Sequence, residues 1–224
     1  MLESKKETRI IMKIAIIGAG GKAGSAIYRE ALARNHDVTA IVRSIERARA
    51  VLGSDVVALE KDSFELTAED LQEFDAVVNA VAFAPAEGNQ HVVLAQHLVS
   101  VAASGTPRLV FILGAGSLFA GSDRHHFIED IRQAPGSDEW IAIPENQLKE
   151  LHYLESVNTA DWVGISPQAS FIEGGATTPV VGTDEIMFAS DGESHTTTGT
   201  LAVAILDELE NPTRRRVRFT VGDE

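Results

Sequence analysis

The 224-residue sequence contains no cysteine. The missing thiols exclude a disulfide scaffold, an iron–sulfur cluster, cysteine-ligated zinc and a cysteine nucleophile. No apolar run approaches the roughly 18 residues that a membrane-spanning helix needs. The first apolar run breaks at Gly18 and follows a mixture of acids and bases, which argues against a signal peptide. From these absences we expect a soluble, cytoplasmic protein.

Positive charge is also scarce, since 19 lysines and arginines stand against 33 aspartates and glutamates, a formal charge of -14. This charge opposes binding to a nucleic-acid backbone or an anionic membrane surface, so we expect neither as a partner. Any phosphate-bearing small molecule would need a local binding site. The length suits one large domain, at about 100–200 residues per domain, and we expect a monomer or a homodimer.

Short apolar runs rich in β-branched residues recur along the chain, and most lack the alternation of a strand with one wet face. Such runs predict strands that are buried on both faces of a parallel sheet. The predicted strands are Ile14–Ile17, Val38–Val42, Val56–Leu59, Ala76–Val81, Leu109–Leu113, Trp162–Ile165 and Val217–Val221. The helices predicted between them are Lys22–Arg34, Ile45–Leu52, Thr67–Glu73, Gln90–Ser104, Glu145–Val157 and Thr200–Leu209. This alternation predicts an α/β fold with a doubly wound, Rossmann-type parallel sheet.

Two segments fit the alternation poorly, residues 114–144 and residues 166–198. The first contains Gly, Ser, Pro and paired histidines, with only a weak helical stretch near Phe127–Ile131. Long irregular segments in compact domains usually carry function, and we expect these two to form a small cap over the carboxyl edge of the sheet. Residues 1–11 are polar and are predicted to be a flexible extension. Residues 12–224 are therefore predicted to form a single domain.

A glycine-rich turn, residues 18–24 with the sequence GAGGKAG, follows the first predicted strand and opens the first helix. Gly18 can take conformations closed to other residues, Gly21 lets a pyrophosphate approach the backbone, and Gly24 lets the helix pack on the sheet. The free N–H groups and the positive end of the helix dipole would face phosphates. The turn is not a P-loop, because Ala23 stands where that motif requires Ser or Thr. It predicts a dinucleotide site; the alternative is a plain structural turn.

The end of the second predicted strand distinguishes the two nicotinamide cofactors. An acid there binds the ribose hydroxyls, whereas a base accommodates a 2′-phosphate. This strand runs into Arg43 and Ser44, and no acid occurs before Glu46. A guanidinium beside a hydroxyl binds phosphate well, so the pair favours NADP(H) over NAD(H). The alternative is that Arg43 is a solvated surface arginine.

Several further motifs occur together with the glycine turn and Arg43. They are Gly114-Ala115-Gly116-Ser117-Leu118, the stretch Asp161–Pro167, the turn Glu173-Gly174-Gly175 and the tail from Leu206 to Gly222. In this combination the chain resembles the atypical short-chain dehydrogenase/reductases with an NAD(P)H-binding domain, especially the group described as NADH-flavin reductases. The resemblance extends from Lys13 to the C-terminus. It implies a Rossmann-type domain that holds NADP(H) at the sheet edge, with FMN, FAD or another flat acceptor under the cap.

The resemblance also implies which residues form the cofactor site. They are Gly18, Gly20, Gly21, Lys22, Ala23, Gly24, Arg43, Ser44, Ala80, Val81, Ala82, Gly114, Ala115, Gly116, Ser166 and Pro167. The glycine turn would hold the pyrophosphate, and the loop Ala80–Ala82 would lie beside the adenosine and ribose. Residues 114–117 would border the nicotinamide, and Ser166 and Pro167 would lie near its carboxamide.

The chain lacks the Tyr-x-x-x-Lys pair with which ordinary short-chain dehydrogenases donate a proton to a carbonyl. Tyr153 is followed four residues later by Val157, and Lys149 precedes it by one helical turn. Hydride transfer to a flavin depends more on oriented rings than on a proton donor, so this absence weighs mainly against a ketone reductase. Tyr153 and Ser117 remain the candidate catalytic residues. The alternatives are a core position for Tyr153 and loop hydrogen bonding for Ser117.

Two other departures concern the predicted cap. The usual acid of the family is missing after the cluster His195–Thr198, which runs on to Gly199-Thr200. His125 and His126 are adjacent and therefore do not have the spacing of two ligands on one helical face, and we predict no metal site. Either histidine could line an acceptor pocket, although histidines in loops are more often solvated.

Two functions from different classes follow from these observations. The first is an NAD(P)H-dependent oxidoreductase that transfers a hydride from NADPH to a flavin or a similar flat small-molecule acceptor. The second is a non-catalytic, redox-sensing regulator in which NADP(H) binding changes a protein contact. The missing Tyr-Lys pair keeps the second hypothesis open, because the fold alone does not decide function.

Overall fold

The computed structural model describes residues 11–102 and 105–224, so the predicted extension lies outside the described residues except for Ile11. The described strands are β1 (Lys13–Ile17), β2 (Asp37–Val42), β3 (Ala58–Glu60), β4 (Ala76–Asn79), β5 (Arg108–Ile112), β6 (Phe119–Ala120), β7 (His125–His126), β8 (Trp162–Pro167), β9 (Ser170–Ile172), β10 (Val180–Gly182), β11 (His195–Thr197) and β12 (Val217–Gly222). The described helices are α1 (Lys22–Ala33), α2 (Ile45–Leu52), α3 (Ala68–Leu71), α4 (Gln90–Val101), α5 (Ile128–Gln133), α6 (Ala142–Glu155) and α7 (Thr198–Glu210). No helix within these ranges is both long and apolar enough to cross a membrane.

An eight-stranded sheet organises the molecule, with the strand order β10-β12-β8-β5-β4-β1-β2-β3. Its neighbouring strands pair in parallel except β10, which is antiparallel to β12. The seven runs that the sequence predicts as strands form the parallel part, which confirms the doubly wound, Rossmann-type fold. The order in which the chain adds strands reverses between β1 and β4. From β1 the chain builds outward to β2 and β3, and it then crosses to β4 on the other side of β1. Open α/β sheets bind their ligands at such a point.

Each face of the sheet is covered by helices, as a parallel sheet requires. On one face Ile14 and Ile16 of β1 pack in a core with Ile27 of α1 and Leu201 of α7. On the opposite face Ile17 packs in a second core to which α4 and α6 contribute. The alternation of adjacent β1 residues between two cores explains why the strand reads as an unbroken apolar run.

The two irregular segments contain short elements that contact each other. Residues 114–144 include the β6–β7 hairpin and α5, which begins one residue later than the weak helix predicted from the sequence. Phe119 forms a parallel bridge with Glu185, and the N–H of Ile186 donates to the carbonyl of Phe119 at 2.9 Å. In the second segment, β9 pairs with β11. We refer to residues 118–140 and 168–198 together as the cap.

Candidate functional site

The glycine turn connects β1 to α1 at the carboxyl edge of the sheet. Gly18 has a φ of 76°, and a Cβ there would lie 3.0 Å from the carbonyl oxygen of Ala80. At Gly24, a Cβ would lie 2.8 Å from Cα of Ala19. Both positions therefore need glycine for the turn itself. Gly20 differs, because no described atom lies within 4 Å of a Cβ placed there, so its missing side chain leaves open space beside the turn.

The N-terminus of α1 is suited to binding phosphate. Its N-cap residue, Gly21, provides no side-chain hydrogen bond, and the first turn contains no acidic residue. The amide of Ser25 makes the first intrahelical bond, to the carbonyl of Gly21 at 2.9 Å. The preceding amides, including those of Lys22 and Ala23, have no intrahelical acceptor and face outward at the positive end of the dipole. The residues present therefore fit a pyrophosphate.

Lys22 connects this turn to the cap. Its ammonium donates to the carbonyl oxygen of Phe171 in β9 and lies 4.8 Å from the centroid of the Phe171 ring. The Lys22 side chain is exposed, so the contact lies at the surface. A phosphate bound at the turn would lie close enough to compete for the same ammonium.

Arg43 directly follows β2 and is exposed. It lines a shallow surface pocket of about 300 Å³ together with Glu60, Lys61, Asp62 and Glu65. Among the described residues, the guanidinium makes no hydrogen bond or ion pair, so its donors can reach a ligand. The three carboxylates of this pocket lower its local potential, and Arg43 is its unpaired cation, since Lys61 pairs with Asp70.

The neighbours of Arg43 already have partners. Lys61 binds Asp70 at 2.6 Å, and this hydrogen bond lowers the pKa of Asp70 to about 2. The hydroxyl oxygen of Ser44 accepts the N–H of Arg47 at 3.3 Å and thereby caps α2. The Ser44 proton is still able to donate to a ligand oxygen.

The loop after β4 lies against the glycine turn. The N–H of Ala80 donates to the carbonyl of Ile17 at 3.0 Å, and the N–H of Val81 donates to Oδ1 of Asn79 at 3.3 Å. Ala82 is exposed at the same edge. The structure thus brings the predicted residues Ala80–Ala82 to the glycine turn.

The loop after β5 is held against the beginning of α6. Residues 115–117 form one 3₁₀ turn. A Cβ on Gly114 would lie 3.0 Å from Cδ of Gln147, and a Cβ on Gly116 would lie 3.0 Å from Cβ of Pro144. These close approaches position the predicted nicotinamide-binding loop on the first turns of α6, next to the end of β8, where Ser166 and Pro167 are buried.

The hydroxyl of Ser117 is used within its own loop. The side chain is 1% exposed and donates to the carbonyl of Gly114 at 2.9 Å, while its Oγ lies 3.4 Å from Oγ of Ser166. The carbonyl of Ser117 in turn accepts from Arg218 at 3.2 Å. This geometry favours the loop hydrogen-bonding alternative for Ser117, and its catalytic role stays a prediction.

Tyr153 lies in the last turn of α6, and burial raises its pKa. It is six residues beyond Gln147, which contacts Gly114, and at 1.5 Å per residue this is about 9 Å farther along the axis of α6. Tyr153 packs against the second core, and Lys149 donates instead to Asn146 at 3.3 Å. The geometry favours the core position for Tyr153, and its catalytic role also stays a prediction.

A buried acid–base pair between α4 and α6 was not found from the sequence. His91 and Glu150 are 3% and 1% exposed, and Nδ1 of His91 lies 3.6 Å from Oε2 of Glu150. Burial raises the pKa of Glu150 well above its usual value and lowers the pKa of His91 to about 4. Burial therefore favours the neutral form of both groups. The sequence feature that could have revealed the pair is the position of Glu150 on the same apolar stripe of α6 as Leu151 and Leu154.

Asp223, directly after β12, supplies a carboxylate to the threonine cluster of the cap. It accepts from the N–H of Thr197 at 2.8 Å, from Oγ1 of Thr177 at 3.1 Å, and pairs with Nδ1 of His195 at 2.7 Å. Burial acts to raise the pKa of Asp223, but hydrogen bonds from threonines and His195 outweigh it and lower that pKa. This acid lies at the N-terminus of α7, where the helix dipole favours a negative charge.

A pocket of about 280 Å³ lies within the cap, and we call it the cap pocket. Its lining residues are Phe119, Ala120, Gly121, Arg124, Phe127, Asp130, Glu185, Ile186 and Phe188. His126 stacks on Phe119 with ring centroids 4.7 Å apart and planes inclined by 23°. The pocket begins two residues after Ser117, which places it beside the predicted nicotinamide loop.

The sheet order, the uncapped N-terminus of α1 and the glycine turn define a dinucleotide-binding protein. A protein family described as NAD(P)H-binding matches residues 18–212, and the chain belongs to this family. The protein YwnB of Bacillus subtilis (strain 168), described as uncharacterized, is 41% identical over 95% of this chain and 99% of its own length.

Two solved structures share this fold over nearly the whole chain. A protein from Lactobacillus casei is 42% identical, with a TM-score of 0.88 over 95% of this chain and 99% of the other. A Streptococcus pneumoniae protein provisionally described as an NADH-flavin reductase is 30% identical, with a TM-score of 0.84 over 95% of this chain and 100% of the other. These relatives agree with the family resemblance identified from the sequence.

Proposed function

We propose that the protein is an NADPH-dependent oxidoreductase that transfers a hydride from NADPH to a flavin or a similarly flat acceptor. The observation that carries the proposal is the unpaired Arg43 at the end of β2, beside a glycine turn whose helix N-terminus has free amides. The turn would bind the pyrophosphate, and Arg43 with Ser44 would bind the 2′-phosphate.

When NADPH is bound, it supplies a hydride to the acceptor. The chain contributes binding and orientation: the loops Ala80–Ala82 and residues 114–117 would fix the cofactor at the edge of the sheet. The buried Ser117–Ser166 contact and the packing of Gly116 on Pro144 keep the second loop rigid, which favours a reproducible ring geometry. A flavin acceptor takes its additional proton from solvent, so the proposal does not require Tyr153 as a donor.

The cap pocket supports a flat acceptor. Its aromatic side chains, Phe119, Phe127 and Phe188, offer faces for stacking, and Phe119 already stacks on His126. The description of the Streptococcus pneumoniae relative names a flavin as the acceptor of that protein.

One contact favours the second candidate function, a redox-sensing regulator. Lys22 joins the glycine turn to Phe171 of the cap, so a cofactor phosphate that draws the ammonium away would release this contact. Such a release could alter a protein-binding surface without turnover.

Turnover separates the two functions. We would follow loss of nicotinamide absorbance from NADPH under anaerobic conditions, with and without added riboflavin or FMN. The oxidoreductase predicts flavin-dependent oxidation of NADPH with equimolar flavin reduction. Tight NADPH binding with no oxidation in the presence of either flavin would contradict the flavin-reductase proposal and favour the regulator.

The cofactor assignment is tested by Arg43→Ala. Removing a charge-assisted phosphate contact costs about 1.5–3 kcal/mol, so we expect NADPH affinity to fall by about 10- to 100-fold. NADH affinity should change by less than about twofold, because NADH lacks the 2′-phosphate. Calorimetric titration of both cofactors measures the two effects. Arg49→Ala removes the same charge from an exposed position of α2 and should leave both affinities unchanged; equal losses for NADPH and NADH in Arg43→Ala would refute the assignment.

A further inference from the structure

The cap pocket combines aromatic walls with a dense group of charged side chains. Phe119 and Phe127 line it, and Phe188 is 69% exposed at the surface. Its volume of about 280 Å³ is close to the lower limit of typical ligand pockets, roughly 300 Å³. The size and the aromatic lining suit one flat ring system.

Arg124 is the cation of the lining, but its charge is already compensated. The guanidinium lies 4.8 Å from the centroid of the Phe119 ring. It forms ion pairs with Asp184 at 3.3 Å and with Glu185. A ligand anion would have to displace two carboxylates to reach Arg124.

His125 adds a second cation next to the pocket, and it is compensated in the same way. Its Nδ1 lies 2.7 Å from Asp123 and its Nε2 lies 3.0 Å from Asp130. Hydrogen bonds to Asp123 and then Asp130 raise the pKa of His125 to about 9, so the imidazolium form persists at pH 7. Four carboxylates thus surround two cations, and the pocket lies in a chain whose formal charge is -14.

We propose that the cap pocket binds its flat acceptor as an uncharged ring and discriminates against a phosphate carried beside that ring. The inference rests on the proposed function, and it selects riboflavin over FMN among the flavins. The flavin phosphate carries a charge of about −1.5 to −2 at pH 7, so the excess carboxylates repel it while both flavins present the same ring to the phenylalanines.

Direct binding tests the inference without turnover. Quenching of flavin fluorescence by the protein gives the dissociation constants of riboflavin and FMN. We expect riboflavin to bind about 10-fold more tightly at low salt, and the ratio to shrink at 0.5 M salt because exposed charges are then screened. Equal affinities, or tighter FMN binding, would overturn the proposal.

Glu185→Gln tests whether the carboxylates cause the selectivity. It removes one negative charge and one partner of Arg124, so the preference for riboflavin should fall by about threefold or more through tighter FMN binding. Glu69→Gln makes the same charge change on α3, outside the pocket lining, and should leave the ratio unchanged. A ratio that responds equally to both variants would assign the selectivity to net charge and overturn the role of the pocket.

Phe188→Ala identifies the location of binding. The loss of an exposed aromatic wall should weaken both flavins by about the same factor, with no change in the riboflavin to FMN ratio and no change in the thermal midpoint. Unchanged affinity for both flavins would place them elsewhere and overturn the proposal. Selective riboflavin binding without oxidation of NADPH would instead contradict the proposed function while supporting this inference.

Discussion

At the scale of single residues, glycines of the glycine turn serve two different purposes, close packing of the backbone and open space for a ligand. Gly24 has no room for a side chain, because a Cβ would overlap the backbone at Ala19. Gly20 has room, and its φ does not lie in the left-handed region. Glycine at position 24 therefore serves the packing of helix on sheet, whereas glycine at position 20 serves the space that a ligand would occupy.

A matched pair of substitutions tests this division. We expect Gly24→Ala to lower the free energy of unfolding by about 1–3 kcal/mol, since backbone must shift to admit the methyl group. Gly20→Ala should leave that free energy within about 0.5 kcal/mol but weaken NADPH binding by roughly tenfold, about 1.4 kcal/mol. Urea unfolding and calorimetric titration measure the two quantities. Unimpaired NADPH binding in Gly20→Ala would show that the pyrophosphate does not lie there.

At the scale of helices and strands, the sequence predicts those parts whose signal is local. The seven parallel strands are all predicted, because strands buried on both faces read as continuous β-branched runs. β10 was missed because Val180 and Val181 are exposed and the strand has only three residues. The beginning of α6 lies at Ala142, three residues before the predicted Glu145, in a stretch without helical apolar spacing.

The candidate site likewise has features that the sequence predicts and features that it does not. The glycine turn and Arg43 could be predicted because each lies immediately after a strand, where chemistry follows from position in the chain. The carboxylate of Asp223 and the Lys22–Phe171 contact could not, because each joins residues far apart in sequence. The packing of the cap on the sheet determines these pairings, and no periodic pattern in the sequence predicts that packing.

The buried pair between α4 and α6 makes a prediction at this scale. Because burial raises the folded-state pKa of Glu150 above its unfolded value, its contribution to stability is complete below the unfolded pKa and is lost as pH rises towards the folded pKa. Glu150→Gln stays neutral and avoids this loss. The variant should therefore gain stability relative to the parent by up to about 1.4 kcal/mol per pH unit above pH 5, measured by urea unfolding between pH 5 and 8.

Glu155→Gln provides the control for that series, since Glu155 is exposed in the last turn of the same helix. It should follow the parent protein at every pH. A Glu150→Gln variant that runs parallel to the parent would mean that Glu150 is ionised in the folded protein and paired with a protonated His91.

At the scale of the whole molecule, buried polar groups attach the cap to the sheet. Gln168, directly after β8, donates to Oγ1 of Thr220 at 2.6 Å and accepts from the N–H of Met187 at 2.8 Å. Asp223 extends this attachment to Thr177 and Thr197. A buried polar network favours one arrangement of the chain, because any arrangement that leaves some of its groups without hydrogen-bond partners costs free energy. We therefore expect the attachment of the cap to depend on the ionisation of Asp223.

Asp223→Asn should reveal this dependence as a change in how the stability of the cap varies with pH. The lowered pKa of Asp223 means that its contribution to stability is present above the unfolded pKa, near 4, and is lost as pH falls through the folded pKa. The raised pKa of His195, caused by hydrogen bonds to Asp223 and then Asp191, means that its contribution is present below about 6.5 and is lost as pH rises through its folded pKa. The Asp223–His195 pair thus stabilises the cap most between about pH 4, the acidic limit, and about pH 6.5, the alkaline limit.

The parent protein should accordingly protect the amides of residues 170–200 from hydrogen exchange best near pH 5 to 6, whereas Asp223→Asn should lose protection there. Asp191→Asn keeps the buried carboxylate of Asp223 and removes the charge of the exposed partner of His195, so it should lower the alkaline limit. Loss of cap protection in Asp223→Asn should also free the Lys22 ammonium from Phe171 and so tighten NADPH binding, because the carbonyl of Phe171 and a cofactor phosphate compete for it. Full protection of the cap in Asp223→Asn would show that the threonine and Gln168 hydrogen bonds hold it without the carboxylate.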